Sequence, residues 1–241
     1  RFQGLSGFVN GVLRSLSREK EHLEFIDAAV RLSIPRWMLS MWEADYGRER
    51  AEQIAASFLE ERPLTVRLNT SLAPAEEILK KLEDQGITAE PAGFMDTVFA
   101  LSGYDHLEAA EAFSEGLLTV QDPSSALAAH LAGIKAGDTV LDICSAPGGK
   151  TLHAADLLHG TGRVEARDLT EYKISLVEQN LLRCGFSNVE TKVWDARVFD
   201  PQMEERADVV LADLPCSGLG IIGKKPDIRL RLKEADLKEL A

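Results

Sequence analysis

Two short stretches of the chain combine turn residues with groups that can bind or react. Residues 139–151, TVLDICSAPGGKT, run from β-branched apolar residues into an Ala-Pro-Gly-Gly turn. This order predicts a buried strand, a glycine turn and a helix over residues 150–158, whose first N–H groups would face a polar or anionic ligand. Residues 208–213, DVVLAD, predict a second buried strand that ends in a carboxylate and runs into Pro-Cys at Cys216. Open α/β sheets place their chemistry at such strand ends.

The glycine turn does not fit either of two common nucleotide-binding patterns. A G-x-G-x-x-G match that ends at Gly149 would need glycine at Cys144 and Ala146. The P-loop pattern fits Gly149-Lys150-Thr151 but also needs glycine where Cys144 stands. A phosphate-binding loop and a structural turn without a ligand therefore stay open as alternatives.

Two further acids follow predicted strands. Asp168 ends a strand over residues 163–167, roughly twenty residues past the glycine turn, where nucleotide-binding folds place an acid against ribose hydroxyls. The alternative for Asp168 is the N-cap of the next helix, over residues 171–184. Asp195 follows a third strand over residues 189–193 and has a turn aspartate as its alternative role.

The two stretches together resemble the S-adenosylmethionine-dependent RNA (cytosine-5) methyltransferases. The resembling segments are residues 142–151, DICSAPGGKT, and residues 213–218, DLPCSG. Within that superfamily the sequence is most similar to the RsmB/Sun (Fmu) family, which modifies 16S ribosomal RNA. QDPSS at residues 121–125 and PRW at residues 35–37 extend the likeness. The resemblance implies S-adenosyl-L-methionine as cofactor and ribosomal RNA, with 16S rRNA favoured, as partner.

The resemblance also implies a role for each motif residue. The loop from Cys144 to Lys150 would surround the methionine part of the cofactor, and Asp195 would bind the adenine amino group. The cofactor-binding set comprises Cys144, Ser145, Ala146, Pro147, Gly148, Gly149, Lys150, Asp168, Asp195 and Asp213. The catalytic residues are Asp213 and Cys216.

Methylation of cytosine at C5 needs covalent assistance because C5 is a poor nucleophile. A thiolate that adds to C6 makes an adduct whose C5 can attack the sulfonium methyl group, and removal of the C5 proton then expels the thiolate. Asp213 would hydrogen-bond the N3/N4 edge of the base. The base must leave its stack, which is least costly in single-stranded or looped RNA.

The identity of the attacking cysteine stays open. DNA cytosine methyltransferases use the Pro-Cys cysteine, which corresponds to Cys216. The RNA family is understood to use a second cysteine in a later motif, with the Pro-Cys residue assisting product release. The chain starts at Arg1 and stops at Ala241, before any such motif. We therefore expect a chain truncated at both ends that binds cofactor weakly at best and does not turn over.

Strand and helix patterns alternate from residue 139 onward, which predicts a parallel, doubly wound α/β sheet. With the resemblance, we expect a Rossmann-like class I methyltransferase sheet, incomplete at its C-terminus. A strand-helix-strand-strand order over residues 61–115 predicts a small α+β domain similar to an RNA-recognition module, although the base-stacking aromatic signature of a true RRM is missing. The methyltransferase domain is expected over residues 116–241, and N-terminal helices over residues 1–60.

The N-terminal residues carry two helical stripes. The stripe over residues 4–17 needs a partner surface and resembles the closing helix of the NusB-like domain that precedes the catalytic part in the RsmB group. We expect this helix to pack on the later domains. A second helix, over residues 35–47, has a stripe that we assign to the core. Its members are Trp37, Met38, Met41 and Trp42.

The formal net charge of −12 argues against nucleic acid as a partner, because phosphate binding depends on Lys and Arg. Binding nevertheless depends on one face and not on the sum of charges. A basic run after the Pro-Cys motif is expected to contact RNA, with a solvated loop as the alternative. Its members are Lys224, Lys225, Arg229, Arg231 and Lys233.

With 45% hydrophobic and 27% charged residues, the composition is that of an ordinary globular protein. The sequence shows no transmembrane segment and no signal-peptide pattern. The three cysteines lie too far apart for zinc ligation, so we expect no metal and a reducing cytoplasmic setting. Cys184 is expected to be a buried apolar residue, and a monomer is favoured.

Overall fold

The computed structural model describes residues 3–22 and 24–240. The chain forms two compact units, one made of Arg1–Arg62 with Cys216–Ala241 and the other of Pro63–Pro215. The second unit contains both a small antiparallel sheet and a parallel sheet. Across the described ranges, no helix has the length and apolarity needed to cross a bilayer.

Among the described residues, four α-helices precede the first strand: α1 (Ser6–Glu19), α2 (Ala28–Arg31), α3 (Arg36–Tyr46) and α4 (Arg48–Ser57). Gly47, with φ +78°, allows the sharp turn between α3 and α4. Met38 and Trp42 of α3 are buried against α4, and Trp37 and Met41 pack beside them. The prediction that this stripe belongs to a core is confirmed.

Helix α1 is amphipathic, as its pattern predicts, but none of its described side chains is buried. Phe8, for example, is 71% exposed. The exposed apolar residues at this end of the chain include Leu5, Phe8, Val9, Val12, Leu13 and Leu16. The expectation that this helix packs on later domains is therefore wrong. Periodicity specifies a helix with one apolar face but does not specify the surface that covers it.

The small sheet is built from β1 (Leu64–Leu68), α5 (Ala75–Asp84), β2 (Thr88–Pro91), β3 (Val98–Ser102), α6 (Glu111–Ser114) and β4 (Leu118–Val120). Its strands are antiparallel in the order β2-β3-β1-β4. Helix α5 buries Ile78 and Leu82 against the sheet. Strand β4 pairs with β1 although it lies beyond residue 115, where we expected this domain to end. We call β1–β4 with α5 and α6 the ferredoxin-like module.

The parallel sheet follows as α7 (Pro123–Leu131), β5 (Thr139–Asp142), α8 (Gly149–Leu157), β6 (Arg163–Asp168), α9 (Glu171–Cys184), β7 (Val189–Val193) and β8 (Val209–Leu211). The strand order is β7-β6-β5-β8, and every pairing is parallel. Asp122 caps α7 by accepting the N–H of Ser124 at 2.9 Å, as predicted. The alternation of strands and helices thus produces the expected Rossmann-like sheet.

Residues 216–240 include a 3₁₀ turn at Leu219–Ile221 and the short helices α10 (Ile228–Arg231) and α11 (Asp236–Leu240). Ile222 is fully buried in the same core as α3 and α4. These residues group with the N-terminal helices in the compact units of the fold. Their membership of the methyltransferase domain stays a prediction.

The basic run in this segment is partly structural. The guanidinium of Arg229 donates to the carbonyl oxygen of Ser33 at 2.9 Å and to that of Phe58 at 3.3 Å. Arg231 lies 3.4 Å from the carboxylate of Asp227. The expectation that the whole run is available to RNA is therefore wrong for Arg229, whose hydrogen bonds hold two backbone segments together.

Candidate functional site

Each of the four parallel strands delivers an acid to the same end of the sheet. Asp142 and Asp168 are the last residues of β5 and β6, whereas Asp195 and Asp213 lie just after β7 and β8. The carboxyl ends of parallel strands lie at one edge, where open α/β sheets bind their ligands. We call this row of four acids the carboxyl edge.

The loop between β5 and α8 crosses the carboxyl edge. The N–H of Ser145 donates to the carbonyl of Arg167 on β6 at 2.9 Å, and the N–H of Gly148 donates to the carbonyl of Ser145 at 2.7 Å. Gly148 has φ +114° immediately before α8, a conformation that favours glycine. The hydroxyl of Ser145 is buried, and no described residue hydrogen-bonds to it. A buried, unpaired hydroxyl beside helix N-terminal N–H groups fits a polar ligand.

Asp168 binds the loop from the neighbouring strand. Its carboxylate accepts the N–H of Ala146 at 3.0 Å, the N–H of Leu169 at 2.7 Å and the ammonium of Lys173 at 2.9 Å. Burial raises the pKa of Asp168, but hydrogen bonds from Lys173 and the two backbone groups lower it below its ordinary value. Because a carboxylate has about four lone pairs, it can accept a further donor such as a ribose hydroxyl. Lys173 is a residue that the sequence analysis missed.

Asp142 is fully buried beneath the loop. Its Oδ2 accepts the hydroxyl of Thr151 at 2.7 Å, whereas Oδ1 has no partner among the described residues. Burial raises the pKa of Asp142 to about 6, against the opposing hydrogen bond from Thr151. Thr151 therefore points inward, although a P-loop would use this hydroxyl to hold Mg²⁺. This contact disfavours the phosphate-binding alternative.

Lys150 reaches from the loop to the acid after β8. Its Nζ lies 2.6 Å from Oδ2 of Asp213 and 3.0 Å from Oγ of Ser125. The side chain of Asp213 is 59% exposed, so it remains accessible to a ligand. Ser125 was not predicted as a site residue, and its only signal was its place in the family-like QDPSS segment.

Asp195 makes its contacts within its own loop. The guanidinium of Arg197 donates to it from Nε at 3.0 Å and from Nη2 at 2.7 Å. Side-chain and backbone hydrogen bonds from Arg197 lower the pKa of Asp195 to about 2. The side chain of Arg197 is 85% exposed, so a ligand donor can displace it. The adenine-binding role of Asp195 stays a prediction.

The three cysteines occupy different environments. Cys144 is half-buried, and burial, followed by the charges of Asp168 and Asp142, raises the pKa of its thiol, which disfavours a reactive thiolate. Cys184 is buried at the end of α9, as expected. Cys216 is exposed and follows Asp213 by three residues.

Sequence comparison assigns the chain to a family. Residues 129–241 match the family described as "16S rRNA methyltransferase RsmB/F", and residues 34–105 match "Methyltr_RsmF/B-like, ferredoxin-like domain". The "Probable ribosomal RNA small subunit methyltransferase B" of Bacillus subtilis (strain 168) is 36% identical over 99% of this chain. The chain belongs to the RsmB/F family. The predicted family and fold class are both confirmed.

The RsmB/F relatives are longer than this chain. It covers 55% of the Bacillus subtilis protein and 55% of "Ribosomal RNA small subunit methyltransferase B" from Cronobacter sakazakii, which is 33% identical over 98% of this chain. The chain thus spans about half the length of the curated relatives that it matches.

Solved structures show the same fold. PH0851 superimposes with a TM-score of 0.82 at 32% identity, over 88% of this chain and 48% of that one. NSun6 from Pyrococcus horikoshii, crystallised with SFG, superimposes with a TM-score of 0.77 over 86% of this chain and 76% of that one. At 18% identity, the second likeness concerns the fold alone.

Proposed function

We propose that this RsmB/F chain holds S-adenosyl-L-methionine along the carboxyl edge and serves the transfer of a methyl group to C5 of a cytosine in ribosomal RNA. The RNA that the family description names is 16S rRNA. The observation that carries the proposal is the convergence of four acids, a glycine turn and the Lys150–Asp213 pair at one edge of the sheet.

The carboxyl edge fits this cofactor. The unpaired hydroxyl of Ser145 and the first N–H groups of α8 offer polar contacts to the methionine part. Asp168 accepts ribose hydroxyls, and Asp195 accepts the adenine amino group once Arg197 moves aside. When bound, the cofactor supplies an electrophilic methyl group on a sulfonium.

Asp213 is the group we assign to the cytosine. Lys150 donates to Oδ2 of Asp213, and a carboxylate has lone pairs for a further donor. A carboxylate oxygen accepts a hydrogen bond from the exocyclic N4 amino group, and this contact orients the flipped base with C6 toward the attacking thiolate. A thiolate that adds to C6 would make C5 nucleophilic enough to take the methyl group, with the sulfur–methyl bond of the cofactor breaking to leave S-adenosylhomocysteine. A base would then accept the C5 proton, which restores the C5–C6 double bond and expels the thiolate.

Two cysteines are candidates for the attack: Cys216 and a cysteine outside residues 1–241. The exposure of Cys216 is compatible with either attack or assistance in product release. RNA that contains 5-fluorocytosine separates the two roles, because fluorine at C5 cannot leave as a proton and the adduct persists. If Cys216 attacks, Cys216→Ser abolishes the adduct. If it assists release, Cys216→Ser lets the adduct accumulate on unmodified RNA.

The function is tested on the full-length protein by calorimetric titration with S-adenosylhomocysteine and by methyl transfer to 16S rRNA, because residues 1–241 alone are expected not to turn over. We expect Asp213→Asn to lower methyl transfer by about 10²–10⁴-fold. Tight binding of ATP without binding of S-adenosylhomocysteine would instead indicate a nucleotide hydrolase. Binding of RNA without any trapped adduct or methyl transfer would indicate a non-catalytic RNA-binding module.

A further inference from the structure

Two backbone carbonyls of the β5–α8 loop accept hydrogen bonds from amide side chains outside the loop. Nε2 of Gln121 donates to the carbonyl of Gly149 at 3.1 Å. Nδ2 of Asn180, on α9, donates to the carbonyl of Pro147 at 3.0 Å. The turn is therefore supported at two positions that flank Gly148.

Each amide is oriented by an arginine. Nε of Arg67 donates to Oε1 of Gln121 at 3.0 Å, and Nη2 of Arg183 donates to Oδ1 of Asn180 at 3.2 Å. An arginine can only donate, so it engages the amide oxygen and turns the amide NH₂ toward the loop carbonyl. Both amides thus have a defined orientation.

Both arginines are anchored by the ferredoxin-like module. Arg67 belongs to β1, is 1% exposed and lies 2.5 Å from Oδ2 of Asp156 on α8. Nη1 of Arg183 donates to the carbonyls of Phe113 at 2.8 Å and Leu118 at 2.9 Å. Two hydrogen-bonded chains therefore run from this module to the same loop.

Holding these carbonyls fixes the direction of the neighbouring N–H groups, because the peptide unit is planar. The carbonyl of Pro147 sets the N–H of Gly148, and the carbonyl of Gly149 sets the N–H of Lys150. The latter belongs to the first turn of α8, where helix N–H groups lack intrahelical partners. A loop held in this way loses less freedom when a ligand binds.

We propose that the ferredoxin-like module is a working part of the cofactor site, with Gln121 and Asn180 as positioning residues that preorganise the β5–α8 loop. The inference rests on the proposed function, because it assumes that the cofactor binds this loop. The ferredoxin-like module would then contribute to cofactor affinity, whether or not it also contacts RNA.

The test uses two substitutions that remove the loop-facing bond. Asn180→Asp also removes the 3.2 Å hydrogen bond from Nδ2 to the carbonyl of Leu176 on the same helix. Gln121→Glu and Asn180→Asp keep the oxygen that accepts from Arg67 or Arg183, but they replace the NH₂ donor by an oxygen that faces a carbonyl. We expect each variant to weaken binding of S-adenosylhomocysteine by about tenfold in calorimetry. In steady-state methylation by the full-length protein, KM for the cofactor rises, whereas kcat at saturating cofactor and KM for RNA stay unchanged.

Asn188→Asp is the matched control. Nδ2 of Asn188 donates to the carbonyl of Ala155 at 3.5 Å, away from the loop, so the same change of chemistry should leave cofactor affinity unaltered. Urea unfolding without ligand is measured for all three variants. Because Gln121 is 4% exposed whereas Asn180 is only partly buried, Asn180→Asp reports on the inference even if Gln121→Glu does not fold.

The outcomes separate the inference from the function on which it rests. If the unmodified full-length protein does not bind S-adenosylhomocysteine, the proposed function fails. If it binds, but the folded loop-facing variants bind equally well, the inference alone is overturned. It is also overturned if affinity falls in Asn188→Asp as much as in the loop-facing variants, because the effect would then follow general destabilisation.

Discussion

The carboxyl edge and the contact between the ferredoxin-like module and α8 are both rich in charge, but their ion pairs differ in exposure to solvent. At the edge, Lys150 and Asp213 form a pair in which the acid is 59% exposed. At the module contact, the side chains of Arg67 and Asp156 are 1% and 6% exposed. Asp156 also accepts the N–H of Ser71 at 2.9 Å and its hydroxyl at 2.5 Å.

The exposed charges at the edge can bind a ligand, whereas the buried charges at the module contact stabilise the fold. At the edge, the side chains of Asp213 and Asp195 are 59% and 28% exposed, so a ligand can replace their present partners. The module contact saturates its carboxylate with protein donors and excludes water, so loss of one partner leaves a buried charge unpaired. The exposed acids at the edge should therefore act mainly on ligand binding, whereas loss of the buried Arg67–Asp156 pair should act mainly on stability.

The largest effect is expected from Arg67→Leu. This change leaves Asp156 buried without its cation and should lower the free energy of unfolding by about 3–5 kcal/mol. Urea unfolding followed by circular dichroism measures it. Arg67→Met combined with Asp156→Leu should recover much of the loss, because two apolar groups replace the pair.

Lys81→Ala, which removes an exposed pair with Glu115 on the same module, should change stability little. Equal losses for Arg67→Leu and Lys81→Ala would contradict the distinction.

Asp168→Asn should weaken binding of S-adenosylhomocysteine by about 10–100-fold, because hydrogen bonds to a charged acceptor contribute roughly 1.5–3 kcal/mol. Calorimetric titration measures this change. Asp208→Asn is the control, since Asp208 accepts the N–H of Thr139 at 2.8 Å at the opposite end of the sheet. An unchanged affinity in Asp168→Asn would remove ribose binding from the roles of Asp168.

Asp142→Asn should remove a pH dependence of stability. Folding raises the pKa of Asp142 from 3.8 to about 6, so the folded state binds this proton more tightly. Stability contributed by Asp142 is therefore greatest below about pH 4, falls as pH rises to about 6, and is constant above that.

The free energy of unfolding of Asp142→Asn, minus that of the unmodified protein, should increase by on the order of 2 kcal/mol between pH 4 and pH 7. Urea unfolding at several pH values measures this difference. Burial lowers the pKa of His153 to about 3, so its contribution to stability rises with pH. This contribution is the same in both proteins and therefore cancels in the difference. A difference that is flat with pH would show that Asp142 ionises normally.

Arg197→Ala should have the smallest effect. The guanidinium is 85% exposed, so its removal should leave the unfolding midpoint unchanged. If Asp195 binds adenine, the variant should bind S-adenosylhomocysteine slightly more tightly, within about fivefold, because no internal donor must be displaced. Weaker binding in calorimetry would indicate that Arg197 itself contacts the ligand.

The sequence predicted the parallel sheet well because its signals are local. Short apolar runs, glycine turns and the capping Asp122 each reflect interactions within a few residues. The expected end of the small domain was less accurate, because residues 118–120 look like the start of the next domain until they pair with β1. The exposed stripe of α1 and the structural role of Arg229 depend on partners distant in sequence, which a pattern does not name.

By itself, the sequence determined the family, the strand-turn-helix unit at the glycine loop and the acids at the strand ends. Only the tertiary structure decided which charges are saturated and what supports the loop. Arg67 and Asp156 are 89 residues apart, and Asn180 and Pro147 are 33 apart. Contacts over such separations arise from the packing of β1 and α9 against the loop-bearing helix, and no local periodicity encodes them.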